Sequence, residues 1–265
     1  PTRPENIQHL AAAVTENGAE FGIGIDGDGD RIAVVDENGV FIHPDRLLAV
    51  FARDVLNKSH AKAAAAGVEL TDEQRTIIHD VKCSMALENT ISDAGGIPHM
   101  MRTGHSFLKQ ALREKPQVPL AGEMSGHFFF NDDWNGFDDA LYAIARLLEL
   151  VSRNPSPTDG GPTFSALFDG IPTYSSTGEA KVPLTGEREA TMDAVLAAYS
   201  DMDSITVDGI RVSYPEGWFL CRPSNTEPIL VMGAEAIHER ALIAIKTDVE
   251  ARIGNIIDLM QYQLA

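Results

Sequence analysis

The sequence is poor in basic residues. It contains 21 lysines and arginines against 39 aspartates and glutamates, which gives a formal net charge of −18. A general nucleic-acid-binding protein needs a basic surface to neutralise phosphates, so we expect no nucleic-acid partner. An acidic total still allows a local basic pocket for one small phosphorylated ligand.

Cysteine is also scarce, and long hydrophobic runs are lacking. The two cysteines, Cys83 and Cys221, belong to no C-x-x-C motif, so neither a zinc cluster nor a disulfide framework is predicted. This favours a reducing compartment, and we expect a cytoplasmic protein. No apolar run approaches the roughly 20 residues that cross a membrane, so no membrane partner is expected. The sequence starts at Pro1 rather than at a methionine, which predicts that it continues a longer protein.

The order of apolar and amphipathic segments predicts an α/β fold. A helix over residues 7–16 precedes a short buried strand, Phe21–Ile25, and strands and helices then alternate as far as residue 152. This alternation is typical of a doubly wound sheet, which we expect to be mixed.

Two segments carry further predictions. The Ala-rich and then polar segment of residues 61–71 is predicted to be an exposed excursion. A helix over residues 137–152 is expected to bury the apolar residues at core spacing, which are Leu141, Ile144, Leu147, Leu148 and Val151.

A linker is predicted at residues 154–162, where proline, glycine and serine concentrate. Clustered strands bounded by helices follow it, which predicts an α+β domain with a mostly antiparallel sheet. We therefore divide the chain at this linker, into a part that ends near residue 153 and a part that begins near residue 163.

Three carboxylates at alternate positions follow the first predicted strand. Asp26, Asp28 and Asp30 are separated by glycines, which allow the tight turn needed to surround one hard cation. An EF-hand loop has similar spacing, but it requires glycine where Arg31 stands and it follows a helix. We therefore predict a Mg²⁺ site here, against the alternative of a polar surface turn.

A second motif is Gly122-Glu-Met-Ser-Gly-His127. In an extended segment Glu123, Ser125 and His127 would point to one side. A carboxylate and a hydroxyl suit sugar hydroxyls, and an imidazole can move a proton near neutral pH. The alternative is a strand edge with solvated polar side chains.

Basic and polar residues form two more motifs. Lys82 follows one predicted strand, and Arg102 and His105 follow the next, at the strand ends where ligands collect in open α/β sheets. The segment Arg222-Pro-Ser-Asn-Thr-Glu-Pro228 offers donors on several sides and predicts a phosphate cradle. Its alternative is a turn with side-chain-to-backbone hydrogen bonds.

The order DGDGDR, VKCS, RTGHSF, GEMSGH and RPSNTEP resembles the α-D-phosphohexomutases, and most of all their bacterial phosphomannomutase/phosphoglucomutase group. The resemblance runs from about Pro4 to about Ile257. It implies an isomerase of carbohydrate metabolism that reversibly moves a phosphoryl group between the 1- and 6-positions of mannose or glucose, through a phosphoserine and a sugar bisphosphate. It also implies that the last domain is similar to the TATA-binding-protein fold.

The resemblance implies a role for each motif residue. The expected cofactor is Mg²⁺, which would be held by Asp26, Asp28 and Asp30. The residues implied to act in catalysis are Arg31, Lys82, His105 and His127. The residues implied to bind a hexose phosphate are Arg102, Glu123, Ser125, Arg222, Ser224, Asn225 and Thr226.

One family motif is not found. The family's catalytic serine lies in a Thr-Ala-Ser-His-Asn-Pro type of loop in its first domain, and the 265 residues contain no such string. Residues 1–38 are therefore expected to be the end of a second mutase domain, residues 39–153 a third and residues 163–265 a fourth, with N-terminal mutase domains as partners. We expect the chain alone to be inactive. The alternative is a non-catalytic phosphosugar-binding module derived from a mutase.

Overall fold

The structure is a computed structural model. It describes residues 1, 4–153, 155–184, 186–224, 227–257 and 259. The chain divides into two compact units, Pro1–Ile171 and Pro172–Ala265. Within the described residues, no helix combines the length and the apolar character that a membrane crossing requires.

The first unit begins with a helix on a small antiparallel sheet. Helix α1 (Pro4–Asn17) packs on β1 (Phe21–Ile25) and β2 (Ile32–Asp36), and β3 (Phe41–Ile42) pairs with β2. Strand β2 is buried throughout, but β1 is only half-buried and its Ile25 is exposed. The prediction of a buried first strand is therefore wrong, because β1 lies at the sheet edge with a neighbour on one side.

A mixed sheet forms the centre of the first unit. Its strands are β4 (Thr76–Asp80), β5 (Ile97–Met101), β6 (Leu120–Gly122) and β7 (Phe128–Phe130). They lie in the order β5-β4-β6-β7, in which β4 is parallel to β5 and β6, and β7 is antiparallel to β6. The predicted mixed α/β sheet is confirmed.

The helices of this unit begin and end at recognisable residues. Besides α1, they are α2 (Pro44–Ala66), α3 (Met85–Asp93), α4 (His105–Glu114) and α5 (Ala140–Ser152). Pro44 stands at the start of α2, and the side chain of Ser84 accepts a hydrogen bond from the N–H of Ala86 at 2.9 Å to cap α3. The excursion predicted for residues 61–71 is wrong as far as Ala66, because alanine favours the helix and α2 continues to Gly67.

Helix α5 buries a different face from the predicted one. Leu147 is buried, whereas Leu141 and Leu148 are 69% and 48% exposed. Arg146 takes a place on the buried face, where its guanidinium lies 2.7 Å from Asp132. The prediction is wrong for the two leucines, because α5 buries the face that carries Ala143, Arg146 and Leu147, where the arginine is ion-paired.

Residues 155–171 pack with the first unit. The ring of Phe164 stacks on that of Phe21, with centroids 4.5 Å apart. The hydroxyl of Ser165 donates to Glu37 at 2.6 Å. The two units accordingly divide after Ile171, beyond the segment 154–162 in which the sequence predicts a linker.

The second unit is an antiparallel sheet with helices. Its strands are β8 (Ser175–Ser176), β9 (Ala180–Pro183), β10 (Ser204–Ile205), β11 (Ile210–Tyr214), β12 (Gly217–Pro223) and β13 (Ile229–Ala236), and its helices are α6 (Arg188–Ala198) and α7 (Glu239–Ile253). The order is β10-β11-β12-β13-β8, and β9 also pairs with β13. Tyr199, Phe219 and Met232 are buried in its core. The predicted α+β arrangement is confirmed.

Candidate functional site

The acidic loop, residues 26–31, joins β1 to β2. Asp26 closes it, because its Oδ1 accepts the N–H groups of Asp30 and Arg31, each at 3.2 Å. Gly29 has a φ of +77°, which L side chains rarely adopt. The loop turns the carboxylates of Asp26, Asp28 and Asp30 toward one another, so that one oxygen from each lies within 4.8 Å of the others.

Arg31 controls the electrostatics of the acidic loop. Its Nε lies 2.5 Å from Asp26 Oδ2 and 3.4 Å from Asp30 Oδ1. Burial raises the pKa of Asp26, but the hydrogen bonds and charge of Arg31 outweigh this and lower the pKa to about 2. Asp26 is therefore ionised near neutral pH and can act as an anionic ligand.

The donor set of the loop fits a hard cation. Asp30 Oδ1 is buried and has no hydrogen-bond partner among the described residues. Asp28 is exposed, so its carboxylate is open to solvent. Mg²⁺ prefers carboxylate oxygens and keeps several of its waters, which an open carboxylate loop allows. The residues present therefore fit Mg²⁺.

The second motif forms a turn, which we call the 123–127 turn, between β6 and β7. The N–H of Glu123 donates to the His127 carbonyl at 3.1 Å, and that of Gly126 donates to the Glu123 carbonyl at 3.0 Å. The predicted extended segment is wrong, because β6 and β7 are antiparallel neighbours and Gly126, with a φ of +95°, allows the chain to reverse.

The turn still brings its three side chains together. Ser125 Oγ donates to Glu123 Oε2 at 3.1 Å, and His127 Nδ1 lies 2.8 Å from the same oxygen. Glu123 is buried, and its Oε1 accepts the N–H of Gly104 at 2.5 Å. Burial raises the pKa of Glu123, but the bonds from His127, Gly104 and Ser125 outweigh it and the net pKa is lowered. The result is a fixed, ionised acceptor beside a hydroxyl.

The acidic loop and the 123–127 turn are neighbours. The N–H of Ile32 donates to the Gly126 carbonyl at 3.1 Å, and Arg31 forms a β-bridge with His127. Asp30 Oδ2 lies 3.4 Å from His127 Nε2. The predicted cation loop and the predicted sugar-binding motif therefore share one site in the first unit.

His105 joins this site from the start of α4. Its ring stacks on that of His127, with centroids 5.3 Å apart and an interplanar angle of 21°. Its Nδ1 lies 2.7 Å from Asp138 Oδ2, and Lys109 Nζ donates to Asp138 Oδ1 at 2.8 Å. The sequence analysis missed Asp138 and Lys109. Lys109 lies one helical turn after His105, but no sequence spacing connects Asp138 to either residue.

Lys82 approaches the turn through Asp80, another residue that the sequence analysis missed. Lys82 Nζ lies 4.0 Å from Asp80 Oδ2, and Asp80 Oδ1 accepts the N–H of Met124 at 3.4 Å. Burial raises the pKa of Asp80, and the net shift remains upward although Lys82 opposes it. Arg102 is exposed and lies 3.9 Å above the ring of Phe107.

The candidate phosphate loop of the second unit, residues 222–228, begins in the last two residues of β12. Arg222 is buried, and its Nε donates to Asp208 Oδ2 at 2.7 Å. The hydroxyl of Ser224 accepts the N–H of Glu227 at 3.2 Å. Asn225 and Thr226 lie outside the described residues. Asp208, which orients the guanidinium, was not found from the sequence because it lies 14 residues before Arg222.

Sequence models of one family match almost the whole chain. The phosphoglucomutase/phosphomannomutase alpha/beta/alpha domain II matches residues 1–39, and domain III of the same family matches residues 43–171. The C-terminal domain of the family matches residues 179–252. These matches include the acidic loop, the 123–127 turn and the candidate phosphate loop.

Proteins with similar sequences and structures are named as members of the same family. A phosphomannomutase/phosphoglucomutase of Pseudomonas syringae pv. tomato is 42% identical over 239 residues, which are 89% of this chain and 47% of that protein. A crystal structure of a phosphoglucomutase/phosphomannomutase family protein from Burkholderia thailandensis is 40% identical with a TM-score of 0.82, and the match covers 97% of this chain and 51% of that one.

A more distant structure shows the fold alone. It is an Aspergillus fumigatus N-acetylphosphoglucosamine mutase in complex with GlcNAc-6P and magnesium, 16% identical with a TM-score of 0.59, and the match covers 88% of this chain and 48% of that one. The chain thus spans about half the length of the curated relatives that it matches. From the family matches and the 40–42% identities, the chain belongs to the phosphoglucomutase/phosphomannomutase family, the α-D-phosphohexomutases.

Proposed function

We propose that these residues belong to a phosphomannomutase/phosphoglucomutase, to which they contribute metal, sugar and phosphate sites. The observation that carries the proposal is the contact between the acidic loop and the 123–127 turn, where Asp30 Oδ2 lies 3.4 Å from His127 Nε2. An oxygen triad that suits Mg²⁺ therefore stands beside a carboxylate and a hydroxyl that suit a sugar. Reversible phosphoryl transfer on a sugar needs these two groups side by side.

The proposed sugar contacts are made by Glu123 and Ser125. Sugar hydroxyls donate hydrogen bonds, and the ionised Glu123 accepts them more strongly than a neutral group would. Its bonds to Gly104 and His127 hold the carboxylate in place before the sugar arrives, which reduces the entropy lost on binding. His127, with one ring nitrogen on Glu123, is the proposed proton carrier at this position.

The acidic loop would hold the proposed cation through Asp26, Asp28 and Asp30. When bound, Mg²⁺ supplies neutralisation of negative charge on a phosphoryl group. Arg31 orients Asp26 and adds a fixed positive charge beside the triad. His105 and Lys82 place further cationic or proton-carrying groups around the same turn, through Asp138 and Asp80.

The candidate phosphate loop is proposed to hold the phosphate that does not react. Arg222 is fixed by Asp208, and a fixed guanidinium loses little entropy when it binds an anion. Ser224 adds a hydroxyl in the same short segment. The proposed roles of Asn225 and Thr226 rest on the family motif alone.

These 265 residues do not supply the phosphoryl donor. Phosphoryl transfer needs a donor placed in line, and the family motif assigns it to a serine in a Thr-Ala-Ser-His-Asn-Pro type of loop that this sequence does not contain. The remaining residues can position a substrate and stabilise its charge, but they cannot replace the phosphoryl donor itself. We therefore propose that the chain binds hexose phosphates and shows no mutase turnover by itself.

A complementation assay tests the proposal. The chain is mixed with the separately expressed part of the Pseudomonas syringae relative that precedes its match, and conversion of mannose 1-phosphate or glucose 1-phosphate to the 6-phosphate is followed in a coupled assay. We expect turnover from the mixture and none from the chain alone. Turnover by the pure chain would contradict the assignment of the donor to another segment.

The matched variants make this assay specific. Glu123→Gln should remove the turnover of the mixture, whereas Glu69→Gln, at an exposed position of the same unit, should leave it unchanged. Hexose phosphate binding without turnover in any mixture would favour the non-catalytic phosphosugar-binding module. Loss of turnover with both variants would remove the case for Glu123.

A further inference from the structure

A second group of potential metal ligands lies beside the acidic loop and has a different chemistry. Asp30, His105, His127 and Asp138 each offer one ligand atom, and these four atoms all lie within 4.8 Å of one another. We propose that this group, which we call the His–Asp cluster, binds a transition-metal dication of the Zn²⁺ type. The inference uses these side chains alone and does not rest on the proposed function.

His127 lies between two carboxylates, an arrangement that a positive charge at Nε2 stabilises. Its Nδ1 is 2.8 Å from Glu123 Oε2, and its Nε2 is 3.4 Å from Asp30 Oδ2. A neutral imidazole that donates from Nδ1 to Glu123 presents the lone pair of Nε2 to the lone pairs of Asp30. A metal ion between Nε2 and Oδ2 turns this repulsion into two coordinate bonds.

The two aspartates of the cluster are held in the same way. Asp30 Oδ1 lies 3.4 Å from Arg31 Nε, and Asp138 Oδ1 accepts a hydrogen bond from Lys109 at 2.8 Å. In each carboxylate the other oxygen, Oδ2, faces a histidine. Groups that bond to a metal ligand without contacting the metal hold that ligand in its orientation, and Glu123 does the same for His127. The cluster thus has both its ligands and their supports.

The donor set selects the type of metal. Two imidazoles with two carboxylates suit zinc and its neighbours, whereas Mg²⁺ prefers oxygen ligands alone. The paired atoms are 2.7 Å apart in His105–Asp138 and 3.4 Å apart in His127–Asp30. Tetrahedral Zn²⁺ with bonds of about 2.0–2.1 Å separates its ligands by roughly 3.3 Å, so small side-chain rotations suffice.

Access to the cluster comes from one side. The side chains of His105 and Asp30 are 49% and 22% exposed, whereas those of His127 and Asp138 are 11% and 7% exposed. An ion can therefore enter past His105 and reach two buried ligands. Asp30 also belongs to the acidic loop, and two dications sharing one carboxylate repel each other. Zn²⁺ in the cluster should consequently weaken Mg²⁺ binding in the loop.

The test measures metal binding directly. Zn²⁺ affinity is determined on the whole chain by competition with a chromophoric chelator, and Co²⁺ is added as a probe because four-coordinate Co²⁺ absorbs strongly in the visible range. We expect His105→Gln and Asp138→Asn each to weaken Zn²⁺ binding by at least about 10- to 100-fold and to abolish the Co²⁺ absorption. His9→Gln, at an exposed position on α1, is the matched control and should change nothing.

Asp28→Asn separates the two metal sites. Asp28 belongs to the acidic loop and not to the cluster, so this variant should keep Zn²⁺ binding while losing Mg²⁺ affinity. The His–Asp cluster proposal is overturned if the chain binds no Zn²⁺, or if His105→Gln binds it as the parent does. It is also overturned if Asp28→Asn lowers Zn²⁺ affinity as much as His105→Gln. His105 is half-exposed, so its variant is expected to fold, and Trp134 fluorescence checks this. None of these outcomes depends on sugar binding or turnover.

Discussion

The candidate sites of the two units are built in different ways. In the first unit, the acidic loop, the 123–127 turn and the start of α4 come from separate parts of the chain and are joined by hydrogen bonds such as Gly104 N–H to Glu123. In the second unit, the candidate phosphate loop supplies its donors from one short segment at the end of β12, with Asp208 as the distant support of Arg222. The site of the first unit therefore depends on buried hydrogen bonds between separate segments. The candidate phosphate loop depends on a single supporting carboxylate, that of Asp208.

The largest expected effect concerns the buried connection of the first unit. Glu123→Ala removes the buried acceptor shared by Gly104, Ser125 and His127, so that the N–H of Gly104 loses its side-chain partner, while Ser125 Oγ and His127 Nδ1 keep their 2.8 Å contact with each other. We expect the free energy of unfolding to fall by about 3–5 kcal/mol, as for other broken buried pairs. Urea unfolding followed by Trp134 fluorescence measures it.

The matched variant lies in the second unit. Glu227→Ala removes an exposed carboxylate whose Oε2 lies 3.5 Å from Lys181 Nζ, both more than half exposed. Such surface pairs contribute about 0–1 kcal/mol, so Trp218, the tryptophan of the second unit, should report almost no change. If Glu123→Ala and Glu227→Ala lower the free energy of unfolding equally, the proposed difference between the two units is wrong.

The next effect tests whether the candidate phosphate loop acts alone. Arg222→Ala removes a charge-assisted donor worth about 1.5–3 kcal/mol, so inorganic phosphate binding should weaken roughly tenfold to a hundredfold. Calorimetry measures the affinity, and Arg240→Ala, at an exposed position of α7, is the control. Phosphate binding that survives in Arg222→Ala would place the phosphate site elsewhere.

A smaller effect is expected at the acidic loop. Asp28→Asn leaves two of three carboxylates, so Mg²⁺ binding should weaken by about fivefold to tenfold, from an affinity that is already low because Mg²⁺ releases its waters reluctantly. Calorimetry at millimolar Mg²⁺ compares this variant with Asp93→Asn, an exposed change at the end of α3. Equal Mg²⁺ binding by both variants would remove the loop from consideration as a cation site.

The smallest effect is a dependence of stability on pH. The pKa of Asp26 in the folded chain is about 2, below the ordinary 3.8, so its ionised form stabilises the fold above pH 3.8 and this contribution is lost as the pH falls toward 2. Asp26→Asn removes the contribution at all pH values. Its free energy of unfolding should therefore change less than that of the parent between about pH 5 and about pH 2.5. Identical slopes would contradict the assigned pKa.

The comparison also shows what the sequence could and could not reveal. Local features were predictable, because the Asp-Gly repeat and the order of strands and helices each depend on a few neighbouring residues. Asp80, Asp138 and Asp208 were missed, because each supports a functional residue from another segment. Leu141 and Leu148 were misplaced, because the hydrophobic period does not show that Arg146 and its partner Asp132 take the buried face.

The central claim is that the first unit binds the sugar and the second unit binds a phosphate. Its most direct test is a backbone NMR titration with glucose 1-phosphate and, separately, with inorganic phosphate. We predict that inorganic phosphate shifts signals at residues 222–227 alone, since those donors are local. Glucose 1-phosphate should shift these and also residues 123–127, and Glu123→Gln should abolish the second set. Shifts confined to the second unit with both ligands would contradict the assignment of the sugar site to the first.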